Sequence, residues 1–197
     1  TSLTYDLQGN LSDDGNQKYV WDLAGKLKEV KNNQDATIAS FAYDAYGRRV
    51  TKDVGSNIYH YYYNDRQVIE EYINNGETTD LMARNVWGLY MDELVVRTDV
   101  NADSDLYPIN NPVYSPLRYY DGSGNLTVRV KYTSYGKAVL VDSSGTAVTP
   151  MEANYPILFT GQRYDRETGL NYFKARMWGA TLGRFLSRDQ AGYIDGK

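Results

Sequence analysis

The sequence has no cysteine and a single histidine, His60. The first absence excludes disulfides, thiolate metal sites and thiol nucleophiles, and the second excludes a multi-histidine metal centre. No apolar run approaches the roughly 20 residues of a membrane-crossing helix; the longest are short pieces such as 86–91 and 138–141. Positive charge is not in excess either. Lys and Arg number 21 against 25 Asp and Glu, a net charge of -4, which argues against a phosphate-tracking nucleic-acid surface. No basic stretch followed by an apolar one opens the chain, so no signal peptide is visible. The first residue, Thr1, and the last, Lys197, lead us to expect a fragment of a longer protein. The lack of cysteine fits a reducing cytosol and, equally, an exported bacterial protein built without disulfides.

What is abundant is tyrosine and glycine: 20 Tyr and 17 Gly among 197 residues. With 27 aromatic residues in all, the chain can bury enough surface to fold, as one domain or two small ones. These residues recur as a unit, aromatic-Asp-x-x-Gly. It occurs at Tyr5-Asp6-Leu7-Gln8-Gly9, Trp21-Asp22-Leu23-Ala24-Gly25 and Tyr43-Asp44-Ala45-Tyr46-Gly47. Looser copies stand at Tyr120-Asp121-Gly122-Ser123-Gly124 and Tyr132-Thr133-Ser134-Tyr135-Gly136. The first three copies are 16 and 22 residues apart, an irregular repeat.

Each part of the unit has a physical role. The aromatic ends a strand and packs on a sheet face. The Asp carboxylate accepts backbone N–H bonds from residues just ahead, starting a turn. Gly supplies the positive φ that closes a four-residue hairpin loop. Further turn signals lie at Asp13-Asp14-Gly15-Asn16, Asn32-Asn33, Gly55-Ser56-Asn57, Asn74-Asn75-Gly76 and Asp142-Ser143-Ser144-Gly145. The expected fold is all-β: a curled strip of consecutive antiparallel β-hairpins, too short to close and so an open or partial shell. Its end hairpins leave strand edges that invite more of the same strip.

The Tyr-Asp-x-x-Gly pattern resembles the YD repeat of Rhs proteins, insecticidal toxin-complex C subunits and teneurins. The stretch 156–176, with Phe159-Thr160-Gly161-Gln162-Arg163-Tyr164-Asp165-Arg166-Glu167-Thr168-Gly169-Leu170, is similar to the core segment of Rhs proteins. So are Leu182-Gly183-Arg184-Phe185-Leu186-Ser187-Arg188-Asp189 and Gly192-Tyr193-Ile194-Asp195-Gly196. The resemblance implies a YD-repeat strip over 1–150, with an inserted acidic loop near 99–112, and a truncated Rhs core segment over 151–197. It implies a bacterial secreted or cell-surface protein whose partners are flanking YD repeats or further copies of itself. In the parent protein it implies an encapsulated C-terminal toxin.

In many members of the resembled family the core also acts as an aspartic autoprotease. By motif position its carboxylates map to Asp165 and Asp189, sharing a proton so that one activates water while the other polarises the carbonyl. This sequence departs from the pattern: Gly179-Ala180 stands where Asp-Pro is usual, and Gln190 where Pro follows the second Asp.

Two other features carry alternatives. Asp99, Asn101, Asp103 and Asp105 present oxygens at every second position, as a hard cation such as Ca²⁺ prefers. The sixth and twelfth loop positions are Ser104 and Asn110, not Gly and Glu, so a solvated acidic loop stands beside a weak Ca²⁺ site; no cofactor is required. Around His60, alternation puts Ile58, His60 and Tyr62 on one face and Tyr59, Tyr61 and Tyr63 on the other. The tyrosines are then either packing, with hydroxyls in water, or a stacking platform for glycans. Three functions follow: a structural shell or filament module, an autoproteolytic toxin-delivery core, or a glycan-binding adhesin.

Overall fold

The computed structural model describes residues 2–74, 79–149 and 154–189. The Asn75-Gly76 part of one turn signal, and the Gly192–Gly196 part of the core motif, lie outside them. Among the described residues there is no α-helix, only one 3-10 turn, Phe159–Gly161. The first strands are β1 (Thr4–Tyr5), β2 (Leu11–Asp13), β3 (Gln17–Trp21), β4 (Leu27–Asn32), β5 (Thr37–Tyr43), β6 (Arg49–Val54), β7 (Asn57–Asn64) and β8 (Gln67–Asn74). They continue as β9 (Thr79–Trp87), β10 (Leu94–Asp99), β11 (Ser104–Asn110), β12 (Pro116–Asp121), β13 (Leu126–Tyr132), β14 (Ala138–Asp142) and β15 (Ala147–Val148). These 15 strands form one antiparallel sheet whose order in space is the order in the chain. A second sheet has four strands: β16 (Arg163–Asp165), β17 (Leu170–Phe173), β18 (Arg176–Gly179) and β19 (Arg184–Phe185). The expected strip of hairpins is the fold observed.

The loop chemistry is uniform. Asp6, Asp22, Asp44, Asp121 and Asp142 each accept, on Oδ1, the backbone N–H groups two and four residues ahead. Asn32 and Asn111 do the same. The fourth loop residue takes positive φ; it is Gly after each of these Asp, but Asp35 and Tyr114 after the two Asn. This is a type I turn closed by a left-handed residue, and in every one of these hairpins but that of Asp142 it leaves a one-residue bulge. Tyr43 faces Arg49 and Ala42 faces Thr51, so Val50 is the extra residue.

The bulge changes which residues face inward. Strict alternation buries residues two apart, whereas the bulge buries residues three apart directly after the loop. Leu27 and Val30 in β4, Arg49 and Lys52 in β6, and Leu94 and Arg97 in β10 are such buried pairs.

The aromatics that end strands do more than pack. Trp21 donates its indole N–H to the Leu11 carbonyl, and Trp87 to that of Val68. The Tyr43, Tyr63 and Tyr132 hydroxyls donate to the carbonyls of Leu27, Arg49 and Pro116, each bond 2.8 Å long. Each latches its strand to the neighbouring strand where that strand leaves its loop. These hydroxyls are thus not turned to water. At such a site a buried carbonyl gains a donor it would otherwise lack.

The strip curls around the second sheet. Leu11, Tyr19, Leu27, Val30 and Phe41 of the early strip form one cluster with Leu170, Tyr172, Met177 and Leu186. Leu106, Tyr119, Val128, Val130 and Leu140 of the late strip cluster with Leu158 and, at its edge, Tyr155 and Tyr164. Strands far apart in the sheet thus pack on one short segment, which requires the sheet to bend. Hydrogen bonds tie the closure: Leu11 N–H donates to the Leu186 carbonyl at 2.7 Å, and the Tyr119 hydroxyl to the Ile157 carbonyl at 2.6 Å.

The segment expected as an inserted acidic loop, near 99–112, differs from that expectation. It contains β11, in register with both β10 and β12, and so continues the strip.

Candidate functional site

The polar residues of greatest burial lie where the strip meets the core sheet. Arg49 is fully buried at the start of β6. Its Nη1 lies 2.6 Å from Asp165 Oδ2 and its Nη2 lies 3.0 Å from Asp165 Oδ1, a bidentate pair. The guanidinium stacks 4.4 Å from the Tyr172 ring centroid, with Phe41 and Tyr61 each at 5.2 Å. Arg49 N–H donates to the Tyr172 hydroxyl. Burial works against the charge on Arg49, but the Asp165 carboxylate outweighs it and raises the guanidinium pKa well above its ordinary value. Beside it, Lys52 Nζ lies 3.1 Å from Glu167 Oε1 and 3.6 Å from Asp165 Oδ1.

A second cluster continues the seam. Buried Glu71 of β8 accepts on Oε1 from Arg97 Nη1 at 2.6 Å and from Asn85 Nδ2 at 2.8 Å. Its Oε2 accepts from Arg97 Nη2 at 3.1 Å, and Arg163 of β16 also donates to Oε1. Buried charges persist only when paired and hydrogen-bonded, and here every carboxylate named has a cation from another strand.

Asp165 and Asp189 are not arranged as a proton-sharing dyad. Both Asp165 oxygens are taken by Arg49, at the end of β16. Asp189 is half-exposed and its Oδ2 pairs with Arg176 Nη2 at 2.8 Å. The cavity that Asp189 lines with Arg176, Arg184 and Arg188 does not include Asp165. Two carboxyls share a proton only when they lie about 3 Å apart with no cation between them; Asp165 is instead an anchor.

The proposed calcium loop is a tight hairpin that satisfies itself. Asp99 Oδ1 accepts from the N–H groups of Asn101 and Ala102, at 3.0 and 3.1 Å. Asp105 Oδ1 accepts from the Thr98 hydroxyl at 2.6 Å, and Asp103 holds the left-handed turn position with φ 46°. Asn101 and Asp103 are exposed. Among the described residues, no group of three or more His, Asp or Glu side chains converges to hold a metal. On β7, Tyr59 and Tyr61 face inward and Tyr62 outward, as alternation requires.

Sequence reasoning missed Arg49, Lys52, Glu71, Arg97 and Arg163. A signal was present for two of them: Arg49 and Lys52 occupy the positions that Leu27 and Val30 hold after the preceding Asp-x-x-Gly loop. A charge where a sister hairpin has a buried aliphatic marks a buried ion pair.

A family model described as the teneurin YD-shell matches residues 1–195. The chain belongs to the teneurin YD-shell family. It is 28% identical, over 99% of its length, to the tRNA3(Ser)-specific nuclease WapA of Bacillus spizizenii, of which it covers 8%. It is 31% identical, over 44% of its length, to the double-stranded DNA deaminase toxin A of Burkholderia cenocepacia, of which it covers 6%. Among solved structures, TcdB2-TccC3 overlays on 98% of this YD-shell chain with a TM-score of 0.73 at 20% identity. The Photorhabdus luminescens Tc holotoxin pore does so with a TM-score of 0.71, also at 20% identity. In both, this chain spans 10% of the matched chain, so the likeness establishes the fold.

Proposed function

We propose that this YD-shell chain is a structural wall segment of an exported or surface-displayed bacterial protein, and that the parent protein encloses a C-terminal toxin domain. The observation that carries this reading is the buried seam: the charged residues of the inner face are spent on fastening strip to core, through Arg49–Asp165 and Glu71–Arg97–Arg163. The relatives add support, since a nuclease and a deaminase toxin each match this chain over less than a tenth of their own length. Among the described residues, β1 pairs only with β2 and β15 only with β14, so both outer edges are able to accept flanking hairpins.

Limited proteolysis of the parent protein, followed by mass spectrometry, tests the reading. The expected result is a C-terminal segment protected in the native protein and digested once the shell is unfolded. A segment cut as fast as the same polypeptide in isolation would overturn it. The intact mass of the parent, with and without Asp189→Asn, reports self-cleavage separately.

A further inference from the structure

Three turns of the strip and one turn of the core segment meet at a cavity of about 240 Å³. The turn between β3 and β4 gives Lys26, that between β5 and β6 gives Arg48, and that between β7 and β8 gives Arg66. The turn between β17 and β18 gives Lys174 and Ala175. Tyr46, Tyr63 and Tyr172 complete the wall. Four cations thus line one cavity, and no carboxylate is among the described residues that line it.

Two of the four are neutralised from outside the cavity. Arg48 Nε lies 2.7 Å from the Asp44 carboxylate, and Lys174 pairs with Asp92. Arg48 is also held in place. Its Nη1 donates to the Asp65 carbonyl at 2.6 Å, and its guanidinium lies 5.3 and 5.0 Å from the Tyr46 and Tyr63 ring centroids. Lys26 and Arg66 have no carboxylate partner among the described residues. Lys26 reaches the Ala175 carbonyl, at 3.3 Å, and the face of Tyr43. Burial, the largest influence, lowers the Lys26 pKa, and Asp22 only partly offsets it. Asp22 Oδ1 is itself engaged by backbone N–H groups of its own turn. Asp65 stands beside Arg66, and no ion pair links the two. Two positive charges therefore remain uncompensated where the turns converge, and such charges favour a counterion.

The hydrogen bonding of Tyr172 gives the same sign independently. Tyr172 is only 7% exposed, and its hydroxyl oxygen accepts the Arg49 N–H at 2.9 Å. The hydroxyl's own proton has no acceptor among the described residues. A buried O–H calls for an acceptor, and this one belongs to the wall of a cavity lined by cationic donors. We propose that this cavity binds a dianionic phosphate group, free or as a monoester, held by Lys26 and Arg66 with Arg48, Lys174 and the Tyr172 hydroxyl around it. The two negative charges match the two unpaired cations. The oxygens supply the acceptors that the wall lacks, and the Arg66 fork suits phosphate in shape and charge. Bound there, the anion bridges three turns of the strip to one turn of the core segment. The site is separate from the buried seam and does not depend on the shell reading.

The test is isothermal titration calorimetry of the 197-residue chain. It runs at about pH 8, where phosphate groups are dianions, with chloride holding the ionic strength constant. The probes are inorganic phosphate and glycerol 3-phosphate, with acetate as the monoanion. We expect one-to-one saturation with a Kd of about 1 mM or tighter, and about tenfold weaker binding in both Arg66→Ala and Lys26→Met. Arg66 is exposed and unpaired, so its variant keeps the fold, which an unchanged urea midpoint without phosphate verifies. Arg118 is exposed on β12, outside the cavity, and Arg118→Ala should bind as the unsubstituted chain does. Linkage gives a second readout: phosphate should raise the urea midpoint of the unsubstituted chain more than that of Arg66→Ala. Tighter binding of inorganic phosphate assigns the free ion, and binding of the ester at least as tight assigns a monoester. No saturation by either dianion up to about 10 mM, equal binding of acetate, or equal weakening by Arg118→Ala would each overturn the proposal.

Discussion

Arg49 joins the two sheets through three kinds of contact at once. Its guanidinium forks onto Asp165, its face stacks on Tyr172, and its backbone N–H donates to the Tyr172 hydroxyl. Removing the charge of Asp165 leaves Arg49 and Lys52 facing each other in a buried site without that counterion. Breaking such a pair by one partner costs roughly 3–5 kcal/mol. We therefore expect Asp165→Asn to lower the stability measured by urea unfolding by about that amount. Asp189→Asn, which loses a half-exposed pair with Arg176, should cost less than about 1 kcal/mol. Equal effects of the two substitutions would contradict the assignment of Asp165 as the anchor. This contrast was not legible from the residues, because both aspartates sit in equally specific motif positions and only burial separates them.

The hairpin element was the more legible part. The Asp-x-x-Gly spacing named the turn, the carboxylate acceptor and the positive-φ residue, and all three are present at Asp44–Gly47 and its sisters. What the spacing concealed was the bulge. One extra residue after the loops that precede β6 and β10 shifts the inward face by one position, so simple alternation loses Arg49 and Arg97. The latching role of the aromatics was concealed as well, since a hydroxyl's acceptor lies on another strand. Tyr43→Phe should cost about 1–3 kcal/mol, because it leaves the Leu27 carbonyl without its 2.8 Å donor. Tyr46→Phe, on an exposed ring two residues into the loop, should change stability by less than about 0.5 kcal/mol. The loop glycines divide in a similar way. Gly124 and Gly136 both hold positive φ, so Ala at either pays for a left-handed backbone, about 1–2 kcal/mol. A Cβ at Gly124 meets nothing within 4 Å, whereas at Gly136 it falls 2.3 Å from the Phe159 ring. Gly136→Ala should therefore lose a further 1–3 kcal/mol or so, seen as a lower urea midpoint than Gly124→Ala.

At the scale of the whole molecule, the strip holds the core segment on both sides, and buried tyrosines report from each contact region. Tyr19 and Tyr43 belong to the early-strip cluster, Tyr119 and Tyr132 to the late-strip cluster, and Tyr63 to the cluster around Tyr59 and Tyr61. Burial, the largest influence on each, raises the pKa of all five far above the ordinary phenol value. The consequence for stability has a definite sign. Below about pH 10 a tyrosine is protonated in both the folded and the unfolded chain, and its contribution is fully present. Above that, the unfolded chain sheds its phenol protons while the folded chain keeps them, so unfolding becomes more favourable by up to about 1.4 kcal/mol per pH unit for each such tyrosine. Absorbance at 295 nm should then rise in two stages. The first stage comes from phenols in contact with solvent and leaves the circular dichroism unchanged. The buried five ionise only together with loss of the β signal. Single Tyr→Phe variants assign the second stage. If strip and core unfold as one unit, Tyr43 and Tyr119 ionise at the same pH, because neither cluster survives release of the segment that both enclose. Ionisation of all tyrosines near pH 10 in a still-native chain would refute the burial argument. Separate midpoints for Tyr43 and Tyr119 would show instead that the early strip leaves the core while the late strip remains closed on it.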